Sequence, residues 1–568
     1  MKPRIEGRSP EMKGRGMREM RGMMRMAAVA AALAAAPAAG QDVELRPGMR
    51  VHSLPPGYRE HAGQAPAFPR PGRGWLGGRA ALPGTPAAAA PRRSPRMVVM
   101  PALFADSPEP AVSAASIQRT LFGDNPDGNL TQYYEEISLG AMRITGTVTP
   151  WVRSAYTRAQ VLGQAYGMGN DALLGWYLKD VLDRVDETTD FALYDSDGPD
   201  GVPNSGDDDG VVDMAAFQFT EVAAPCGGPG MWPHRYRMDA LRGAPYFTDD
   251  PGAGGRRIRV DDYHIQSAVE CDGTPQSMAV MAHETGHKFA MPDWYHAAGG
   301  DHPADHRWIQ GCWTLMGAGA WGCGDGSTFG KVARPPHPGP LEKLALQWTV
   351  PTVAQPGWRR TYTLRPVQQS GDVLHVPMAV PWEFLLLEYR VNTGFDAGLP
   401  AAGVLVYHVD TMRTGLPCLT CPRLYLASLV EADGDGALLR TAREGGDRGV
   451  AGDAFTGRRL LDDRSRPVLR LNTGQPAGVA LEIDVSGGVA RVTVSTVPAV
   501  ASAPLLAPLL GSPGGPLTDD ERAALDYFGN RDGRYDAGDL RTYMRYRRDT
   551  VRQEEAAAAG LPPASGAG

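Results

Sequence analysis

The residues best suited to chemistry lie together in Met281-Ala-His-Glu-Thr-Gly-His-Lys-Phe-Ala-Met-Pro-Asp293. His283 and His287 are four positions apart, which on a helix places both imidazoles on one face, a turn from each other, as two corners of a tetrahedral zinc site require. Glu284, beside the first histidine, then reaches water at the metal rather than the metal itself. A carboxylate there can take a proton and return it to a leaving group, so the chemistry implied is metal-assisted hydrolysis. A bare HExxH also occurs on solvated helix faces, and its surroundings decide between the two. Pro292 stops the helix, and Asp293 follows His287 by six residues, the separation at which longer zinc motifs place a third ligand. His296, His302 and His306 are the alternative third ligands. Downstream, Trp313-Thr-Leu-Met316-Gly-Ala-Gly offers a methionine in a tight glycine-rich turn of the kind found beneath such a metal.

Two further groups of carboxylates suit a harder cation. Asp195 and Asp197 in Tyr194-Asp-Ser-Asp-Gly198, with Asp209 and Asp213 across an insertion from Pro199 to Asp208, are expected calcium ligands, because calcium takes six to eight oxygens from a flexible loop. A solvated acidic turn is the competing reading. Near the C-terminus, Asn530, Asp532, Asp536 and Asp539 occupy positions 3, 5, 9 and 12 of an EF-hand-like loop, with Gly533 at position 6 and Phe528 at position 1. The missing first ligand weakens a calcium site there, so a purely structural helix-loop-helix stands beside it.

Positioning these groups needs regular structure, and the pattern supplies an α+β fold. Met97 to Phe104 is an apolar run like a buried strand, and Met142 to Val148 alternates like another. Leu174, Tyr177, Leu178, Val181, Leu182 and Val185 recur at helical spacing between Asp171 and Val185. Tyr263 to Ala268 is expected to be an edge strand able to pair with an extended substrate. Beyond about residue 350 the helical signal fades and strand-like runs follow, among them Phe384 to Tyr389, Gly403 to Val409, Leu424 to Val430 and Val489 to Val497. Thr518 and Glu521 form a capping box for a short helix.

The expected organisation is a signal peptide over 1–40 and a Pro/Gly-rich propeptide or linker over 41–96. A catalytic domain over 97–350 and a β-rich domain over 351–499 follow, then a linker over 500–516, a helix-loop-helix over 517–549 and a disordered tail over 550–568. Arg18, Arg21 and Arg25 ahead of the apolar run Met26 to Ala36 give the export signal, too short to span a bilayer. Export agrees with the six cysteines, paired most simply as Cys226 with Cys271, Cys312 with Cys323 and Cys418 with Cys421. Across 568 residues, 64 acidic against 57 basic side chains give a net charge of -7, which draws neither nucleic acid nor anionic lipid. No integral membrane segment is expected.

Several segments outside the histidine motif carry a family resemblance. Gln132-Tyr-Tyr-Glu-Glu-Ile-Ser-Leu-Gly140, Trp313 to Trp321, Gly403-Val-Leu-Val-Tyr-His-Val-Asp410 and Val430-Glu-Ala-Asp-Gly434 come in the order of corresponding segments in the secreted immune inhibitor A-type metallopeptidases, which the chain resembles. The resemblance implies a secreted zinc endopeptidase acting on proteins, with a metzincin-like catalytic domain and a trailing, sandwich-like β domain. It assigns zinc to His283, His287 and Asp293, the general base to Glu284 and the Met-turn to Met316. It also reads Tyr194 to Asp213 as a split calcium segment. One position departs, since the family's glycine after the second histidine is Ala290 here. A contrasting expectation is a calcium-stabilised extracellular interaction protein with an inactive zincin fold, docking a partner through 517–549.

Overall fold

In the run Met97-Val-Val-Met100 successive side chains are all apolar, and a strand that sends alternate residues to opposite faces buries both only if each face is covered. The computed structural model shows this arrangement. It describes the short antiparallel strands Val43–Arg46 and Met49–Val51 and residues 93–198, 200–297, 303–324, 329–413, 425–511 and 517–558. The signal-peptide segment, most of 41–96, and the Cys418 and Cys421 pair lie outside the described residues.

Strand β1 (Arg96–Leu103) lies inside a six-stranded sheet, paired on both sides. The order is β2 (Thr145–Val148), β1, β3 (Met214–Phe219), then Asp262–Ser267 and His234–Arg237, with Val152–Arg153 also paired to β1. Taking His234–Arg237 as β4 and Asp262–Ser267 as β5, every pairing is parallel except β4 on β5. Met97 and Val99 face one apolar layer with α2 (Leu130–Ile137) and α4 (Ala279–Lys288), whereas Val98 and Met100 face another with α3 (Leu174–Asp186). Helix α1 (Ala114–Phe122) adds Ile117 and Leu121 to the first layer. The capping box of Asn129 with Gln132 starts α2 and so fixes where its two tyrosines fall.

Beyond residue 350 a five-stranded sheet contains Glu383–Arg390 and Gly403–Asp410, and a four-stranded antiparallel sheet contains Val479–Ser486 and Val489–Thr496. Leu385 and Leu387 pack toward the four-stranded sheet with Leu481 and Val492. Phe384 and Leu386 point the other way, into the same apolar layer as Trp313 and Met316. Both faces of this strand are covered, which is why Glu383-Phe-Leu-Leu-Leu-Glu-Tyr-Arg390 shows no polar alternation. Fully buried Arg390 lies 2.8 Å from both Glu388 and Asp396, so its charge is matched twice over.

The cysteines pair as Cys226 with Cys271 and Cys312 with Cys323. Two expectations near the C-terminus are corrected. The linker over 500–516 contains a helix, Ser502–Leu510, held by Leu505 against Leu517, Leu525 and Tyr543. The last helix runs Ala537–Ala558, past residue 549 where a disordered tail was expected, because Arg, Gln, Glu and Ala continue it at little cost. Among the described residues, no helix is long and apolar enough to cross a membrane.

Candidate metal centre

The two histidines stand on α4, which is buried along most of its length. The Tyr134 hydroxyl donates to the Ala282 carbonyl at 2.8 Å, so the Tyr-Tyr-Glu-Glu segment of α2 braces the residue before His283. At its far end the helix closes in a Schellman arrangement: the Met291 amide donates to Gly286 O at 3.1 Å and the Ala290 amide to His287 O at 3.0 Å. Ala290 occupies the left-handed position of that turn, with φ of 61°. Where glycine is usual, alanine takes the same conformation, and the chain leaves the helix without being redrawn.

That exit delivers Asp293. His283 Nε2 lies 3.1 Å and His287 Nε2 3.4 Å from Asp293 Oδ1, and one ligand atom of each residue falls within 4.8 Å of the others. On the opposite side of each ring, Nδ1 of His283 donates to the Leu315 carbonyl at 3.1 Å and Nδ1 of His287 to the Met291 carbonyl at 2.9 Å. Fixing the proton on Nδ1 turns the Nε2 lone pairs inward, the outer bonding that metal-binding histidines use. The Met316 turn serves both sides of the centre, because its neighbour Leu315 orients His283 while its own carbonyl takes the Trp294 amide at 2.8 Å, next to Asp293. A Cβ on Gly286 would lie 2.7 Å from Met316 Sδ.

Of the alternative third ligands, His296 and His306 sit in the paired strands His296–Ala297 and His306–Arg307 on the cavity wall and do not join the cluster. His302 lies outside the described residues. Glu284, 5% exposed, shares the cavity with the three candidate ligands. Burial, with Asp293 adding to it against the opposing effect of His283, pushes its carboxyl up to about 7. Burial holds His287 down at about 4, so that ring is neutral and able to ligate. In His283 burial opposes protonation too, but the bond to Asp293 overcomes it and raises the ring.

The cavity has a volume of about 280 Å³, and Trp232, His234, Tyr295 and Trp321 form part of its walls. Trp321 tilts over His283 with ring centroids 4.7 Å apart. The expected edge strand is corrected here. Tyr263 to Ser267 is flanked on both sides, by β3 and β4, and the strand that ends the sheet beside the cavity is β4. Its sequence, His-Arg-Tyr-Arg, lacks the apolar run that marks a strand, and only the turn-rich Gly227 to Pro233 ahead of it marks where an element could begin.

Residues 114–334 match the family model described as immune inhibitor A peptidase M6, catalytic domain. This region is of metallopeptidase type. The pre-pro-metalloprotease PrtV of Vibrio cholerae serotype O1 is 27% identical over 227 residues, covering 36% of this chain and 23% of that protein. Immune inhibitor A of Bacillus thuringiensis subsp. alesti is 28% identical over 239 residues, covering 36% of this chain and 31% of that protein. The chain thus spans less than a third of the length of these curated relatives, and the residues matched by the family model include both histidines.

The expected calcium groups are placed differently. Asp195 and Asp197 converge with Asp208, not with Asp209 and Asp213. Asp213 instead accepts from the Arg96 amide at 3.0 Å and the Ser196 hydroxyl at 2.7 Å, and Asp209 accepts from the Val211 amide at 2.8 Å. Asp208 was hidden because it ends the apparent insertion. Burial and the surrounding carboxylates push Asp195 up to about 7. The C-terminal loop is satisfied from within: Asn530 Nδ2 donates to Asp532 and Asp536 at 3.2 and 3.3 Å, and Asp539 accepts the amides of Asn530 and Asp536, each at 2.8 Å. Its side chains form no metal cluster among the described residues.

Proposed function

We propose that this chain is a secreted, zinc-dependent endopeptidase in which His283, His287 and Asp293 hold the metal and Glu284 is the general base. The observation that carries the reading is the convergence of two Nε2 atoms on one Asp293 oxygen, at 3.1 and 3.4 Å, beside an open cavity. Two imidazoles and a carboxylate are a donor set that zinc takes in catalytic sites, leaving a further position open. When bound, zinc supplies Lewis-acid chemistry, polarising a peptide carbonyl and acidifying water.

The remaining work belongs to the chain. Glu284, which shares the cavity with the three candidate ligands, is placed to accept a proton and give it to the departing amine. Strand β4 offers its outer backbone edge to an extended peptide, a pairing that reads main chain before side chains. A helix bearing both histidines, the turn to Asp293 and Met316 beneath Gly286 support a metzincin-like assignment. The two sheets beyond residue 350, sharing one apolar layer, support a sandwich-like second region. Two disulfides agree with export, and Asp195, Asp197 and Asp208 are the calcium ligands in this reading. No partner is assigned to 517–549, which packs against the body through Arg531 on Asp462 and Tyr527 on Asp462.

Replacing Glu284 with Gln is the decisive test. The variant should keep one zinc per chain while casein cleavage is lost. Turnover at the parent rate would overturn the mechanism. A zinc-loaded parent protein with no cleavage of casein would favour the calcium-stabilised interaction protein with an inactive zincin fold.

A further inference from the structure

A second set of carboxylates gathers in the region beyond residue 350, far from the histidines in sequence. One oxygen from each of Glu431, Asp433 and Asp453 lies within 4.8 Å of the other two. Glu431 is 5% exposed and Asp453 is fully buried. No lysine or arginine pairs with any of the three among the described residues. Arg440 lies 3.6 Å from the neighbouring Asp435, and the Arg448 guanidinium donates to the carbonyls of Trp321 and Cys323 at 3.0 and 3.1 Å. Without a counter-ion, burial and mutual repulsion push Glu431 up to about 9 and Asp453 to about 7.

A separate observation concerns a single atom. Asp453 Oδ2 accepts from Trp313 Nε1 at 2.8 Å and from the Val450 amide at 2.9 Å. Its other oxygen, Oδ1, is buried with no hydrogen-bond partner. A desolvated carboxylate oxygen is costly unless a donor or a cation meets it. The loops are also built around glycines: Gly434 and Gly436 both take positive φ, and the backbone at Gly452 lies so close to the Asp433 carboxylate that a Cβ there would collide with it. An oxygen-only, carboxylate-rich donor set on glycine-containing loops suits calcium rather than zinc.

We propose that Glu431, Asp433 and Asp453 bind one calcium ion, and that this ion locks the Trp313 to Trp321 segment onto the β-rich region. The connections run through named bonds. Asp453 holds Trp313, the Cys312 amide donates to Arg448 O at 2.6 Å, and Arg448 in turn holds Trp321, which lies over His283. The site is independent of whether the chain cleaves peptides.

The test uses the full chain, freed of loose calcium on a chelating resin, and compares it with the double variant Glu431→Gln, Asp453→Asn. Calcium titrated by calorimetry and counted at equilibrium should show one fewer ion per chain in the variant; binding at Asp195, intact in both, cancels in the difference. Equal counts would overturn the proposal. A second measurement covers a variant that fails to fold: terbium bound to the parent protein should luminesce on tryptophan excitation, calcium should displace it, and Trp313→Phe, which keeps every carboxylate, should lower that emission. Absence of emission in the parent, or emission unchanged in Trp313→Phe, would equally overturn it.

Discussion

Nδ1 of His283 donates to the carbonyl oxygen of Leu315 at 3.1 Å, so a turn more than thirty residues downstream in the sequence sets the rotation of a ring carried by α4. The same turn presses Met316 against the one residue of that helix turn without a side chain. Gly286→Ala should therefore overpack the junction and destabilise the protein by about 1–3 kcal/mol. Thermal unfolding would measure the loss, and adding Met316→Ala should recover part of it, since neighbours in contact do not act additively.

Ala290 stands at φ 61°, where a Cβ is unfavourable. Ala290→Gly relieves that strain but adds freedom to the unfolded chain, leaving a net gain of about 0.5–1 kcal/mol. A higher denaturant midpoint at unchanged slope is the expected signature.

The choice of third ligand separates cleanly by substitution. Asp293→Ala should lose tightly held zinc and, with it, peptide cleavage, whereas His296→Ala and His306→Ala should retain the metal. Metal content after dialysis against a weak chelator distinguishes them. Retention by the Asp293 variant would pass the role to another side chain.

The buried histidines weaken the fold in acid. Burial holds His264 and His375 neutral in the fold, at about 4 each, and burial with Lys343 holds His337 at about 3 although Glu136 lies 2.9 Å away. The unfolded chain protonates its histidines near pH 6.5. At these three rings it therefore binds more protons than the folded state between about pH 6.5 and 4, and their contribution to stability falls as the pH drops through that window, by up to about 1.4 kcal/mol per pH unit for each ring. Denaturation midpoints of the parent and of His375→Gln at pH 7.5, 6 and 5 isolate one ring's share, and the variant should lose less stability than the parent as the pH falls.

Much of the centre was legible because its parts are local. His283, Glu284, His287 and Asp293 sit in one short stretch, and Met316 is marked by the glycines around it. The strands of the β-rich region were legible as apolar runs. What escaped depends on distance or on polar disguise. Strand β4 is built from charged residues and is defined by its pairing with β5. Asp208 looked like the end of an insertion, and only the folded loop returns it to Asp195 and Asp197. Asp433-Gly-Asp-Gly436 carries a cation-like spacing, but its partner Asp453 is placed by a separate loop that no periodicity connects to it.

The apolar layer that holds Phe384 and Leu386 against Trp313 and Met316 bears on how such a chain can be taken apart. Cutting it at residue 350 would strip Phe384, Leu386, Leu405 and Tyr407 from the layer that backs the Met316 turn and so loosen the loop that orients His283. The peptidase-type region is therefore not a portable module. Recombination between related chains would preserve the centre only if the strand Glu383–Arg390 travelled with it.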